Sequence, residues 1–334
     1  MSRLIPVIIG PTAVGKTAFG LSLAHDLAAE IVGGDSRQIY RYLDIGTAKP
    51  DVVQRRAVRH HLIDVVNPDE TLNAARFARL AWGCIRDIEA RHKQPLVVGG
   101  SGMYIRALTD GLFRGPGANP RLRAALEAEA HTLGVYALHR RLAEVDPTAA
   151  RRIHPHDRVR MIRALEIYTL TRTPISQWQH QWQNSLGHES FVFIGLRRER
   201  DDLRRRIAAR TEAMLQLGLE EEVRTLLARG YPPTLPPLQS VGYGEIVAYL
   251  AGAFDLAGAQ ELIERHTWRL AKRQMTWFRR LPSIHWISLT ERPEASVKQM
   301  IQTILTRAWE AQESPSTRVT MDDQAMPCTC PALT

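Results

Sequence analysis

The residues best equipped for chemistry lie near the start of this 334-residue chain. Gly10-Pro11-Thr12-Ala13-Val14-Gly15-Lys16-Thr17 fits the phosphate-loop pattern G-x-x-x-x-G-K-[ST]. The glycines let the backbone curl, so that successive N–H groups and the N-terminus of the next helix surround a diphosphate. Lys16 supplies a point charge, and the Thr17 hydroxyl can ligate Mg²⁺. The loop does not say which diphosphate compound it holds. Asp35, in Gly33-Gly34-Asp35-Ser36, is either a general base or a water-mediated Mg²⁺ ligand, or else a helix cap or turn residue. Gly99-Gly100-Ser101-Gly102 either lets a ligand approach the backbone or makes a tight strand-to-helix turn.

These loops need elements to position them. Leu4 to Ile9 is a β-rich run that leads into the phosphate loop, and helical spacing follows through Leu21, Leu23 and Leu27. Further apolar runs occur at Ile31–Val32, His61–Val66, Pro95–Val98, Phe191–Leu196 and Ile284–Leu289, and helix-length segments separate the first four. Alternation of this kind predicts an α/β fold: a doubly wound parallel sheet, P-loop NTPase-like, with ligands gathered at the carboxyl ends of its strands. Strand signals vanish from about Pro120 to Gln183, where Leu122, Leu126, Leu133 and Leu138 keep helical spacing. We therefore expect a catalytic core from residues 1–118 and 190–310 and an all-helical insertion domain at 119–189. Amphipathic helices are expected over Asp201–Arg229 and Ala257–Arg280. Residues 311–334 lack core formers and read as a disordered tail.

A formal charge of +9 exceeds what solubility needs. Arg265, Arg269, Lys272, Arg273, Arg279 and Arg280 lie in a stretch without acids, while Trp268, Ala271, Met275 and Phe278 recur at core spacing. Arg151, Arg152, Arg158, Arg160 and Arg163 surround His154 and His156, with Asp157 the one acid among them. Each group is either a solvated face or a track for nucleic-acid phosphates. The tryptophans at 178, 182, 268 and 277 read as core rather than as stacking platforms. Three cysteines, with Cys84 alone and Cys328/Cys330 in the tail, suggest no disulfide framework or metal site and fit a reducing cytoplasm. The N-terminal apolar run is too short for a signal or membrane-spanning segment.

Longer strings carry more information. GPTAVGKT, GGDSRQIYRYLDIGTAKP, HHLIDVVNPDE, VVGGSGMYIRAL, DRVRMIRALEIY, SVGYGEI and KRQMTWFRR, in this order, resemble the bacterial tRNA dimethylallyltransferases, the IPP transferase family. The resemblance covers roughly residues 5–290, and its DS-x-Q-x-Y…LDIGTAKP string is far more specific than the phosphate loop. It implies an enzyme that uses Mg²⁺; a monomer is expected because the sequence shows no dimer face, in the cytoplasm that the cysteine usage fits. Dimethylallyl would pass from its diphosphate to N6 of adenosine 37, in the anticodon stem-loop of tRNAs reading codons that begin with U. It further implies Asp35 as base, Thr17 and Ser101 in the reaction centre, and Gly10 to Thr17 with Arg210 around the diphosphate. On tRNA it places Asp35, Ser36, Arg37, Gln38, Ser101, Arg123, Val159, Arg160, Met161, Ile162 and Arg163. Ser240, Val241, Gly242, Tyr243, Gly244 and Glu245 join them, with Arg273, Gln274, Met275, Thr276, Trp277, Phe278, Arg279 and Arg280. Ser101 replaces the family's usual Thr and keeps the hydroxyl. The segment ETLNAARFARLA is looser than the family pattern, and the tail has no counterpart there. A small-molecule or nucleotide kinase would use the same loop, and an AMP-prenylating relative the same chemistry, but neither needs two arginine tracks. An RNA-binding module without catalysis would gain nothing from an acid beside phosphates.

Overall fold

The computed structural model describes residues 4–113, 115–180 and 190–313. The chain forms two compact units, Met1–Leu108 with Glu189–Thr334, and Thr109–His188. In the first unit β1 (Ile5–Ile9), β2 (Ala29–Gly33), β3 (His60–His61), β4 (Gln94–Gly99), β5 (Phe191–Arg197) and β6 (Ile284–Ser288) form one sheet. The strand order is β3-β2-β4-β1-β5-β6 and every pair is parallel.

The sequence of β1, IPVII, is buried throughout because both sheet faces are covered. Alternate residues go to opposite sides: Ile5, Val7 and Ile9 join one core, Ile8 the other. The second of these cores is closed by α1 (Lys16–Asp26) through Phe19 and Leu23, and by α14 (Glu294–Glu313) through Val297, Ile301 and Leu305. The larger core receives α3 (Ala74–Ala90), α4 (Gly102–Thr109), α11 (Leu219–Ala228), α12 (Tyr243–Leu250) and α13 (Leu256–Phe278). Short α2 (Val52–Ala57) starts on an Asp51 capping box, and α10 (Arg200–Gln216) packs on α13.

The second unit consists of α5 (Pro120–Leu133), α6 (Val135–Val145), α7 (Pro147–Arg152), α8 (Arg158–Thr171) and α9 (Ile175–His180) around Leu126, Leu138, Leu142, Met161 and Leu165. Its charged centre is Glu166, wholly buried, whose carboxylate accepts from Asn119 N–H and from both Arg123 and Arg163. Burial alone would raise the Glu166 pKa; the two guanidinium groups and the amide outweigh it and hold it below the usual range.

Two expected elements differ. The run His61–Val66 is a strand only at His60–His61, because Leu62 and Asp64 take left-handed φ of 63° and 57°. The turn directs the Asp64 carboxylate onto Lys49 and Arg55. The expected helix over Asp201–Arg229 is two helices, broken where Gly218 adopts φ 95°. The second compact unit begins at Thr109, the last residue of α4, ahead of the expected 119. Trp182 and residues 314–334, with Cys328 and Cys330, lie outside the described residues.

Candidate active site

Parallel order brings the loops together. β1 lies between β4 and β5, so the phosphate loop after β1 is flanked by Gly99–Gly102 after β4 and by Arg197–Arg198 after β5. Asp35 follows β2, the next strand outward. The two glycine turns meet backbone to backbone: a Cβ at Gly99 would lie 2.2 Å from Gly34 O, so no larger residue fits there.

The phosphate loop reverses direction through left-handed conformations at Ala13 (φ 61°) and Gly15 (φ 113°), and α1 starts at Lys16. Arginines hold the outside of the loop. Arg206 Nε donates to Ala13 O at 3.0 Å and Arg198 Nε to Val14 O at 2.9 Å, while Asp202 fixes Arg198 in turn. With carbonyls tied outward, the free amides of the first helical turn remain for an anion. Lys16 Nζ donates to Gly10 O (3.0 Å) and Pro11 O (2.8 Å), and Arg210 Nη1 to Thr12 Oγ1 (3.2 Å).

Burial lowers the Lys16 pKa to about 8; Asp35 opposes the shift and Arg210 adds to it. Burial likewise lowers Arg210, again against the field of Asp35. Two desolvated cations thus share one carboxylate, an arrangement that favours a further anion. Asp35 Oδ1 accepts Arg37 N–H at 2.8 Å, which fixes the carboxylate. Ser101 Oγ accepts Ser36 N–H at 2.9 Å and donates to Ser36 Oγ at 3.0 Å, so the second glycine loop carries its hydroxyl to the residue beside Asp35. Thr17 lies in the first turn of α1, on the same loop.

The remaining candidates divide by what their side chains already do. Gln38 Nε2 donates to Thr47 O and Ala48 O and so shapes the segment after it. Ser240 Oγ donates to Pro237 O, and Glu245 accepts Gly242 N–H and pairs with His266, closing the start of α12. Val241 and Gly244 are half-buried beside them, and Tyr243 is buried. Arg273, Thr276, Arg279 and Arg280 are exposed at the end of α13, Met275 and Trp277 are half-buried, and Phe278 is core. In the second unit Val159 is 75% exposed and Arg160 pairs with Asp157. Met161 and Ile162 are core residues there, and Arg123 and Arg163 are committed to Glu166. The buried side chains of Met161, Ile162, Tyr243 and Phe278 present no surface to a macromolecule; packing is what they contribute.

Some groups carried no legible signal. Glu222 accepts from Asp44 N–H (3.0 Å), Ile45 N–H (2.8 Å), Gly46 N–H (3.3 Å) and the Tyr243 hydroxyl (2.6 Å). It therefore anchors the LDIGTAKP segment, yet in the sequence it is one of three successive glutamates on a helix. Lys49, nearly inaccessible, binds Asp44, Asp64 and Tyr40 O in the same segment. Its burial is invisible in the sequence because it depends on how the segment and the turn at Asp64 curl around it.

The family model described as IPP transferase matches residues 38–281. The chain belongs to the IPP transferase family. Among its relatives is a protein of Geobacter metallireducens named tRNA dimethylallyltransferase, 49% identical over 86% of this chain and 92% of that one. Another of the same name from Alkaliphilus oremlandii is 44% identical over 87% and 93%. The crystal structure of the tRNA isopentenylpyrophosphate transferase of Bacillus halodurans superposes with a TM-score of 0.69 at 37% identity, covering 94% of this chain and all of that one. An IPP transferase fold also appears in a eukaryotic dimethylallyltransferase at TM-score 0.78 and 24% identity, a likeness of fold alone.

Proposed function

We propose that this protein transfers a dimethylallyl group from dimethylallyl diphosphate to N6 of adenosine 37 in tRNA. The observation that carries the reading is Asp35, fixed just past the end of β2 and electrostatically coupled to two half-buried cations, Lys16 and Arg210. The N6 lone pair is delocalised into the adenine ring, so the amine is a weak nucleophile until a base takes its proton. Asp35 accepts that proton as N6 attacks C1 of the allyl group. The C1–oxygen bond breaks and its electron pair leaves with diphosphate. Lys16 and Arg210 stabilise the charge that develops on the leaving oxygen, in a site where such interactions are stronger than in water. The base must leave the stack to reach Asp35, at a cost of a few kcal/mol that contacts elsewhere on the anticodon stem-loop offset.

Thr17, on the phosphate loop, offers a hard oxygen donor of the kind that Mg²⁺ takes. No cluster of three or more His, Cys, Asp or Glu exists among the described residues. That fits an ion held mostly by substrate phosphates and water. When bound, Mg²⁺ neutralises part of the diphosphate charge.

Arg273, Thr276, Arg279 and Arg280 supply exposed positive and polar groups for RNA backbone, and Val159 and Arg160 lie on the accessible start of α8. No described helix is long and apolar enough to cross a membrane, and tRNA as substrate supports a cytoplasmic location.

The test is Asp35→Ala in single turnover on the preformed tRNA complex. Loss of a general base slows the step by roughly 10²–10⁴-fold, with tRNA affinity little changed; near-normal turnover would remove Asp35 from the role.

A further inference from the structure

Gln274 stands among the residues that the family resemblance sets against tRNA, but its amide is used inside the protein. Oε1 accepts the Thr12 N–H at 2.8 Å, and Nε2 donates to Gly100 O at 2.9 Å. The orientation of the amide is forced, because only its oxygen can accept from an N–H and only its nitrogen can donate to a carbonyl. One side chain thus ties the phosphate loop to the glycine loop that carries Ser101.

The helix bearing Gln274 is itself fixed. Ala271 and Phe278 on α13 are buried, and Ala271 belongs to a small cluster with Leu203 and Ile207 against which Ala13 of the phosphate loop packs. One turn beyond Gln274, Trp277 lies against Gly102, where a Cβ would come within 2.1 Å of its ring. A Cβ at Gly100 would come within 2.8 Å of Gln274 Nε2, so that glycine makes the room the amide occupies.

We propose that Gln274 is a positioning residue that sets the separation of the two loops, and with it the distance between the allyl carbon and the attacking nitrogen. The proposal rests on the function above. The donor's diphosphate sits in the loop of Lys16, and the acceptor adenine reaches Asp35 and Ser101. Reacting atoms must come within about 3–3.5 Å, and a displacement of about 1 Å costs on the order of 10²-fold in rate. A strut anchored in a third element holds that distance through the backbones of the two loops.

The experiment follows the fate of labelled dimethylallyl diphosphate with saturating unmodified tRNA, counting label on tRNA and label released as dimethylallyl alcohol. In the side reaction water oxygen bonds to C1, the C1–oxygen bond to diphosphate breaks, and the water's proton goes to solvent. Gln274→Met keeps the length and removes both hydrogen bonds. Gln274→Glu keeps the acceptor and loses the donor. Gln274→Asn, too short to reach both partners, serves if the Met variant does not fold, as judged by its thermal midpoint.

We expect transfer to fall roughly 10- to 100-fold in the Met and Glu variants. The fraction of label lost to water should rise several-fold, and the KM for each substrate should change little. Wild-type rate and partition in both variants would overturn the proposal. So would transfer and hydrolysis falling in proportion, which marks a smaller folded fraction, or a change confined to tRNA affinity, which marks a tRNA contact. Absence of transfer by the wild-type protein would instead defeat the functional reading.

Discussion

The two ends of β2 carry charge of opposite character. Near its start, Glu30 is 3% exposed and is surrounded by cations: Arg91 binds both oxygens, His61 lies at 2.7 Å and Lys93 at 3.4 Å. The hydrogen bonds from Arg91 and His61 overcome burial and pull the Glu30 pKa down to about 2. Just past the other end, Asp35 faces Lys16 and Arg210, and burial pushes both cations toward the neutral form. At one end the fold has satisfied a charge; at the other it has left cations under-compensated. The first pattern holds a structure together. The second stores a preference for an anion that the protein itself does not contain.

The largest effect that could break this contrast is on stability. Glu30→Gln leaves Arg91 and its neighbours without their carboxylate; because Arg91 and Lys93 stay partly solvated, the loss is that of hydrogen bonds to a charged group, about 1.5–3 kcal/mol. Denaturant unfolding should register that loss, while the folded fraction keeps its transfer rate; an activity loss beyond the unfolded fraction would mean that the two ends are not separate. The sign with pH follows from the lowered Glu30 pKa. Its contribution is fully present above the unfolded value of about 4.5 and disappears as pH falls toward about 2.

A smaller effect sharpens the other half. Below pH of about 8 Lys16 is charged in the free enzyme, and above it the proton is lost. Affinity for dimethylallyl diphosphate should therefore fall as pH rises past 8, approaching about tenfold per pH unit, when followed by direct binding. A flat profile to pH 10 would show that Lys16 does not meet the diphosphate.

The smallest effect concerns the exposed end of α13. Arg280→Gln should weaken tRNA binding a few-fold and reduce the slope of log affinity against log salt by about 0.7, leaving the donor KM unchanged. An unchanged slope would take Arg280 out of the RNA contact.

The fold was legible where periodicity and turn chemistry agree. The apolar runs of β1, β4 and β5 and the glycine turns after them predicted a parallel sheet with its loops on one edge. The run His61–Val66 misled because left-handed turns at Leu62 and Asp64 leave no mark on an apolar pattern. The phosphate loop, Asp35 and Ser101 were legible because their chemistry is tied to local strings. Glu222, Arg198, Arg206 and the strut role of Gln274 were not, since each acts through partners far along the chain that only folding brings near. Arg163, which in sequence belongs to an arginine track, and Arg123, which the resemblance sets against tRNA, both bind Glu166 in the fold, a partnership no local pattern announces.

The most direct test of the account is to incubate the protein with Mg²⁺, radiolabelled dimethylallyl diphosphate and unmodified tRNA, with parallel reactions offering AMP as acceptor or labelled ATP as donor. The account predicts label on tRNA, mapped to adenosine 37. Label on AMP, phosphate transfer from ATP, or no transfer to tRNA at all would contradict it.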